Sequence, residues 1–329
     1  MIIEHMKYVP ENPFKPFIFI GEKISPGFPI PKPISEDSCL KLANPAQVRA
    51  IKEIVKPDKL LSRHTQSSRP TNIYEYDFDK SKTDHGYSFT PVPLGSDNYK
   101  YWIIELSTYL ADPDLVQALH LLTTKLTVIA QIGTIENHIN HFLVSAIFYS
   151  DKDILFHEPL VLGQSDIDEL NQIYQSLISF KSSAHASSFI GKAITDYQNT
   201  LDIEYTSPFK IIALFSLIET LLTTNQRSNE SSINRQLQKK IVLINNQLSN
   251  RIDFFQYFTG PNTLTEELII EKLYYYRSKV AHGDYYDFAN DLQILVDHEK
   301  TFTFLDLLFK RILLYSINNP QLIKDLKEC

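Results

Sequence analysis

Ser207-Pro-Phe-Lys-Ile-Ile-Ala-Leu-Phe-Ser-Leu-Ile-Glu219-Thr-Leu-Leu222 decides the fold of this 329-residue chain. Serine before proline is a helix start: a hydroxyl fits the N-cap, and proline at the first helical position gives up no needed N–H. Apolar residues then occur nearly all round the segment. Such a helix belongs at the centre of a bundle rather than on its surface.

Other helices should surround it. After a polar break from 223 to 232, residues 233–248 read as an amphipathic helix with its basic residues on the polar side. Thr263-Leu-Thr-Glu266 is a capping-box pattern, and the helix it opens should stop at Gly283, a natural left-handed terminator. A final helix, broken or continuous, is expected over 288–317. Upstream, Ser165-Asp-Ile-Asp168 starts a helix running to about Phe180, and a weaker start near Ser188 leads to about Leu201. Asp112-Pro113 repeats the cap-plus-proline signal. Leu115, Leu119, Leu122, Leu126, Ile129, Ile132, Ile139, Leu143 and Ile147 then recur at three- and four-residue steps, which predicts one long helix to about Tyr149.

Residues 113–329 are therefore expected to be all-α. Residues 1–112 differ, because twelve of the seventeen prolines lie before residue 100 and forbid long helices. Phe17-Ile-Phe-Ile20, 72–78, 87–90 and 99–106 look like strands, with one helix over 45–55. The fold class is α+β: a small, proline-rich, strand-containing N-terminal domain of mixed or mostly β structure, followed by a helical bundle.

A net charge of −7 argues against a protein that coats nucleic acid through an overall basic surface. A local basic patch is compatible with it. Residues 227–251 carry five cations (Arg227, Arg235, Lys239, Lys240, Arg251) against Glu230, which leaves −11 for the rest of the chain. The two cysteines, Cys39 and Cys329, are too few and too far apart for a disulfide framework or a cysteine zinc site, and point to a reducing compartment. No signal-peptide or membrane-spanning run is visible, and the expected location is cytoplasmic.

Chemistry concentrates in Leu273-Tyr-Tyr-Tyr-Arg277-Ser-Lys-Val-Ala-His282-Gly283. Arg277 and His282 stand in RxxxxH spacing, a permanent cation paired with a group that exchanges its proton near neutrality when unperturbed. On a regular helix they diverge by about 140°. A helix that unwinds at Gly283 would let the imidazole turn, and Lys279 adds positive charge. The plainer alternative is that Arg277 pairs with a carboxylate of the bundle and His282 meets the last helical carbonyls. Tyr274, Tyr275, Tyr276, Tyr285 and Tyr286 bracket the motif and could stack bases or simply pack, with Tyr276 expected inward. A competing cluster, Glu136, His138 and His141, would need helical spacing to share a metal. It lacks an HExxH pattern, so no metal site is assigned.

Taken together, the Glu219 helix, the basic helix Ile233-Asn-Arg-Gln-Leu-Gln-Lys-Lys-Ile-Val-Leu243 and the string ending in Arg277-Ser-Lys-Val-Ala-His282-Gly283 resemble the Apea-like branch of the HEPN superfamily over about residues 180–315. The resemblance implies a helical bundle that dimerises and brings two RxxxxH motifs to one cleft, where RNA is cut without a metal ion or other cofactor. Arg277 and His282 match the paired catalytic residues. Glu219, Ser278, Lys279 and Tyr274 stand as supporting residues, and Arg235, Lys239, Lys240 and Arg251 as candidate RNA-binding residues. Because an unpaired buried carboxylate is costly, Glu219 is expected to pair with Arg277 or Lys279.

The activity so implied is endoribonuclease cleavage by 2′-OH attack on the phosphodiester, in a toxin-like or antiviral setting. RNA is the substrate, a second copy of the chain is the partner, and the N-terminal domain is a sensor or regulator that could receive a protein partner or inhibitor. No membrane is involved. The family also contains members that bind a nucleotide, RNA or protein without cleaving, and a structural subunit of a larger complex is a third reading.

Overall fold

The computed structural model describes residues 15–54, 73–83, 86–107, 112–124, 126–135, 138–143, 159–186, 188–204, 206–224, 232–260 and 263–328. The fold is α+β, with a strand-bearing N-terminal unit and a helical C-terminal unit, divided between Tyr174 and Gln175.

The first unit is built on an antiparallel sheet of order β3-β4-β7-β1-β8-β9. Its strands are β1 (Phe17–Ile20), β3 (Lys32–Ser35), β4 (Ser38–Leu42), β7 (Trp102–Leu106), β8 (Val128–Ile135) and β9 (His138–Leu143). Every residue of β1 is fully buried, which is why Phe17-Ile-Phe-Ile20 reads as a continuous apolar run rather than an alternation. Phe17 and Phe19 face a core with Val48 and Ile51 of α1 (Pro45–Ile54), Tyr74, Tyr101, Ile103 and Ile129. A hairpin of β5 (Tyr76–Thr83) and β6 (Gly86–Pro93) and a parallel pair of β2 (Ile24–Pro26) with β10 (Leu160–Leu162) complete its strands.

The long helix expected from residue 113 is corrected. Asp112 caps as anticipated, accepting from the amides of Asp114 and Leu115 at 3.1 and 3.0 Å, but α2 (Pro113–Leu121) stops after nine residues. β8 and β9 follow as a hairpin within the sheet, so the chain is not all-α from 113 onward. Leu126, Ile129 and Ile132 are buried around a strand, not along a helical stripe. Ile147 and Tyr149 lie outside the described residues.

From α3 (Gln164–Lys181) the chain is helical: α4 (Phe189–Thr200), α5 (Pro208–Leu222), α6 (Ile233–Gln247), α7 (Glu266–His282), α8 (His298–Asn318) and α9 (Pro320–Glu328). α5 is the central rod. It packs against α4, α6, α7, α8 and α9, burying Ile211, Leu214, Phe215, Leu217, Ile218, Leu221 and Leu222. Full burial of such a side chain contributes ~1.5–3 kcal/mol, so these seven anchor the bundle.

Three details differ from expectation. Ser207 is extended at the N-cap of α5 but its hydroxyl makes no capping bond, so Pro208 carries the start signal. The cap of α7 is Thr265, whose hydroxyl accepts from Leu268 N at 3.2 Å, rather than Thr263. The last helix begins at His298, after turns and a short 3₁₀ segment, and Pro320 opens α9 as a separate element. Among the described residues no helix is long and apolar enough to cross a membrane.

Candidate functional site

α5 and α7 pack along a seam on which residues one turn apart interlock. On α5, Phe215 and Glu219 are four apart; on α7, Tyr274 and Arg277 are three apart, so each pair shares a helix face. Phe215 meets Tyr274 edge-on at 6.3 Å between ring centroids. The Arg277 guanidinium lies over the Tyr274 ring at 5.7 Å and reaches Glu219 Oε2 at 3.3 Å. The expected ion pair of Glu219 is therefore present, with Arg277 rather than Lys279 as its partner.

The pair is partly buried and incompletely satisfied. Its side chains are 23% and 18% exposed for Arg277 and Glu219, and the contact is through one nitrogen and one oxygen. Arg277 Nε and Glu219 Oε1 are both buried without a hydrogen-bond partner. Burial pushes the Glu219 carboxyl above its ordinary range, and the Arg277 charge offsets only part of that shift. Arg277 is thus held in place by a ring and a carboxylate without saturating its five donors.

His282 is the last residue of α7 and is exposed. The helix ends as the sequence implied: Gly283 takes the left-handed conformation (φ 70°, ψ 20°), and Asp284 N closes back on Lys279 O at 2.9 Å. A Cβ at Gly283 would meet nothing within 4 Å, so the glycine is there for its backbone freedom, not for space. Because α7 stays helical through His282, Arg277 and His282 keep their divergence of about 140° around the axis. The chain does not unwind early enough to bring them together.

The supporting residues spread around this helix end. Tyr274 holds Arg277 as described. Ser278 is half-buried. Lys279 lies 5.4 Å from the Tyr275 ring centroid and 3.6 Å from Asp284; Tyr275 and then Asp284 push its pKa up. Tyr276 is fully buried as expected, its ring packed edge-on against Tyr286 and Phe288 and its hydroxyl 2.9 Å from His298 Nδ1. Burial and then Tyr286 raise its pKa well above that of a free phenol.

The four candidate RNA-binding residues separate. Arg235 and Lys239 are exposed one turn apart on α6. Lys240 does not share their surface: it is buried, and its ammonium donates to Leu222 O at 3.0 Å and Lys327 O at 3.3 Å. Arg251 lies beyond α6 and is tied to Glu266 of α7 at 2.6 Å. Lys327 of α9 also donates to Thr220 O, so two lysines cap the C-terminal carbonyls of α5, the end where a helix dipole favours cations. Sequence reasoning missed Phe215 and Lys327. The four-residue step from Phe215 to Glu219 could have revealed the first; nothing local signals the second.

His138 and His141 lie on strand β9, not on a helix, so the three-residue spacing that would have grouped them on a helical face has no such consequence; Glu136 lies outside the described residues. Arg227 and Glu230 lie outside them too. No protein-family model matches the chain, and no curated protein or solved structure matches it.

Proposed function

We propose that this protein is a metal-independent endoribonuclease that cleaves RNA by attack of the ribose 2′-OH on the adjacent phosphate. The observation that carries the reading is Arg277, fixed between Tyr274 and Glu219 yet with donor capacity left over, one helical turn and a half from an exposed His282. A guanidinium held this way is suited to the charge that develops on the non-bridging phosphate oxygens. An exposed imidazole at a helix end can reach a proton on the attacking or leaving oxygen. The 2′-O–P bond forms as the P–O5′ bond breaks, one proton leaving the 2′-OH and one arriving at O5′, to give a cyclic phosphate and a free 5′-OH.

The resemblance to the Apea-like HEPN branch supports the same assignment. The divergence of the two side chains supports its dimeric form, in which Arg277 of one copy works with His282 of the other. A toxin-like or antiviral role, in a cytoplasmic setting and with the N-terminal unit as sensor, belongs to this reading.

The test is cleavage of single-stranded and structured RNA in excess EDTA by the wild type, Arg277→Ala and His282→Ala. Each substitution should lower the cleavage rate at least a hundredfold, within the range general acid–base catalysis supplies. Wild type that leaves every RNA intact, or variants that cut as fast as wild type, would overturn the assignment. The same divergence also favours one other reading, a module that binds RNA or a nucleotide without cleaving it, which intact RNA that nevertheless co-purifies would support.

A further inference from the structure

His282 shares its face of α7 with residues other than Arg277. Lys272, Tyr275, Lys279 and His282 are spaced three, four and three residues apart. On a regular helix they fall within about 80° of arc and extend about 15 Å along the axis. Tyr275 is 37% exposed, and both lysines reach its ring, Lys272 at 5.6 Å and Lys279 at 5.4 Å from the centroid. The stripe is continued sideways by α6, since Gln238 donates to Glu271 at 3.4 Å and so sets the α6 turn bearing the exposed Arg235 and Lys239 beside the α7 turn bearing Lys272. Tyr285, 83% exposed, follows the glycine turn.

The charges facing the stripe are mixed but favour an anion. Asp284 lies 3.6 Å from Lys279 and offsets part of its charge, Glu271 is engaged by Gln238, and Asp291 contributes only its backbone carbonyl to Lys272, at 3.3 Å. Lys272, Arg235 and Lys239 make no ion pair among the described residues. Like charges four apart on a helix, as Arg235 and Lys239 are, lower its stability slightly, so a helix that carries them exposed is suited to an external anion.

We infer that this stripe is a docking track for single-stranded nucleic acid, with one unpaired base stacked on Tyr275 and its flanking phosphates held by Lys272 and Lys279. A ring with two ammoniums over it matches that ligand in both of its chemistries, a base taking the π surface while the flexible lysines it displaces swing to the charged backbone. A duplex offers no free base face to Tyr275. The track leads to His282 and deepens the cleavage reading, on which its biological role rests, by assigning an unpaired segment as the substrate. Binding itself does not depend on that reading.

The probe is a short fluorescent oligothymidylate, which lacks the 2′-OH and cannot be cut by the proposed chemistry, followed by anisotropy with the full chain. Tyr275→Ala should weaken binding about tenfold and Tyr275→Phe about twofold at most, because stacking needs the ring and not the hydroxyl. Lys272→Gln combined with Lys279→Gln should flatten the slope of log affinity against log salt by about 1.4, two phosphates' worth of released counterions on a single strand. Circular dichroism and melting curves matching the wild type establish that each variant is folded.

The inference fails if the wild type does not bind at low salt, if folded Tyr275→Ala binds as tightly as wild type, or if a DNA duplex competes as well as the single strand. Cleavage of RNA together with oligothymidylate binding indifferent to Tyr275 would sink the track and leave the nuclease standing. Binding that needs Tyr275, with RNA left intact, would do the reverse.

Discussion

Glu219 sits at the point where packing and charge conflict most directly. Its carboxylate is mostly buried against α7, one oxygen meets Arg277 at 3.3 Å, and the other meets no donor. Desolvation outweighs the attraction, so its folded pKa lies above the ordinary carboxylate value. A raised pKa means that the folded state holds its proton longer than the unfolded chain does. The associated stability is present below the unfolded value, near 4.5, and is lost as pH rises through the folded one. Glu219→Gln removes the titration while keeping the shape. The melting temperature of the wild type should therefore fall relative to that of Glu219→Gln as pH climbs from about 4.5 toward neutrality. Parallel melting curves across that range would show that Glu219 is solvated in solution. Of this residue's situation the sequence narrowed the partner to Arg277 or Lys279, since an unpaired buried carboxylate is costly, and the structure selects Arg277. It did not disclose that the pairing would be single-pronged.

The helices show where sequence patterns suffice and where they mislead. α5 was legible because its apolar residues surround it and a proline marks its start; no strand reading competes with such a pattern over a fifteen-residue segment. The region after α2 misled because Leu and Ile at three- and four-residue steps also occur, by coincidence, along a strand buried on both faces. Val128, Ile129 and Ala130 are consecutive and all buried, which only a covered strand or an internal helix allows. The basic helix α6 was legible as a helix but not in its side-chain traffic. Lys239 is exposed, whereas its neighbour Lys240 turns inward to cap α5, and that choice depends on carbonyls from α5 and α9 that lie far away in sequence. Neighbouring lysines should thus behave oppositely. Lys240→Ala should cost ~1–3 kcal/mol by leaving buried carbonyls without a donor, and Lys239→Ala should stay within ~0.5 kcal/mol, as surface changes do. Denaturant unfolding of the two variants measures this; equal losses would contradict the placement of Lys240.

At the scale of the whole molecule, the geometry of α7 makes a prediction about assembly. Arg277 and His282 are carried by one unbroken helix that ends at Gly283, and they point about 140° apart. One chain therefore offers the guanidinium on one side and the imidazole on the other. Oligomers of a single chain are most often two-fold symmetric, and such an axis near the end of α7 would place Arg277 of each copy against His282 of its partner. On the cleavage reading, the consequence is complementation between two inactive proteins. Arg277→Ala retains His282, His282→Ala retains Arg277, and a heterodimer of the two contains one intact combination. If subunits exchange at random, about half of the dimers are mixed and each holds one working site of two, so the mixture should recover about a quarter of wild-type cleavage. Activity should also fall on dilution below the dimer dissociation constant, in step with the sedimentation coefficient. A mixture as silent as its components, from proteins that sedimentation shows to be exchanging dimers, would place both residues of any working site on one chain. The divergence along α7 would then have to be overcome by movement of the helix end itself.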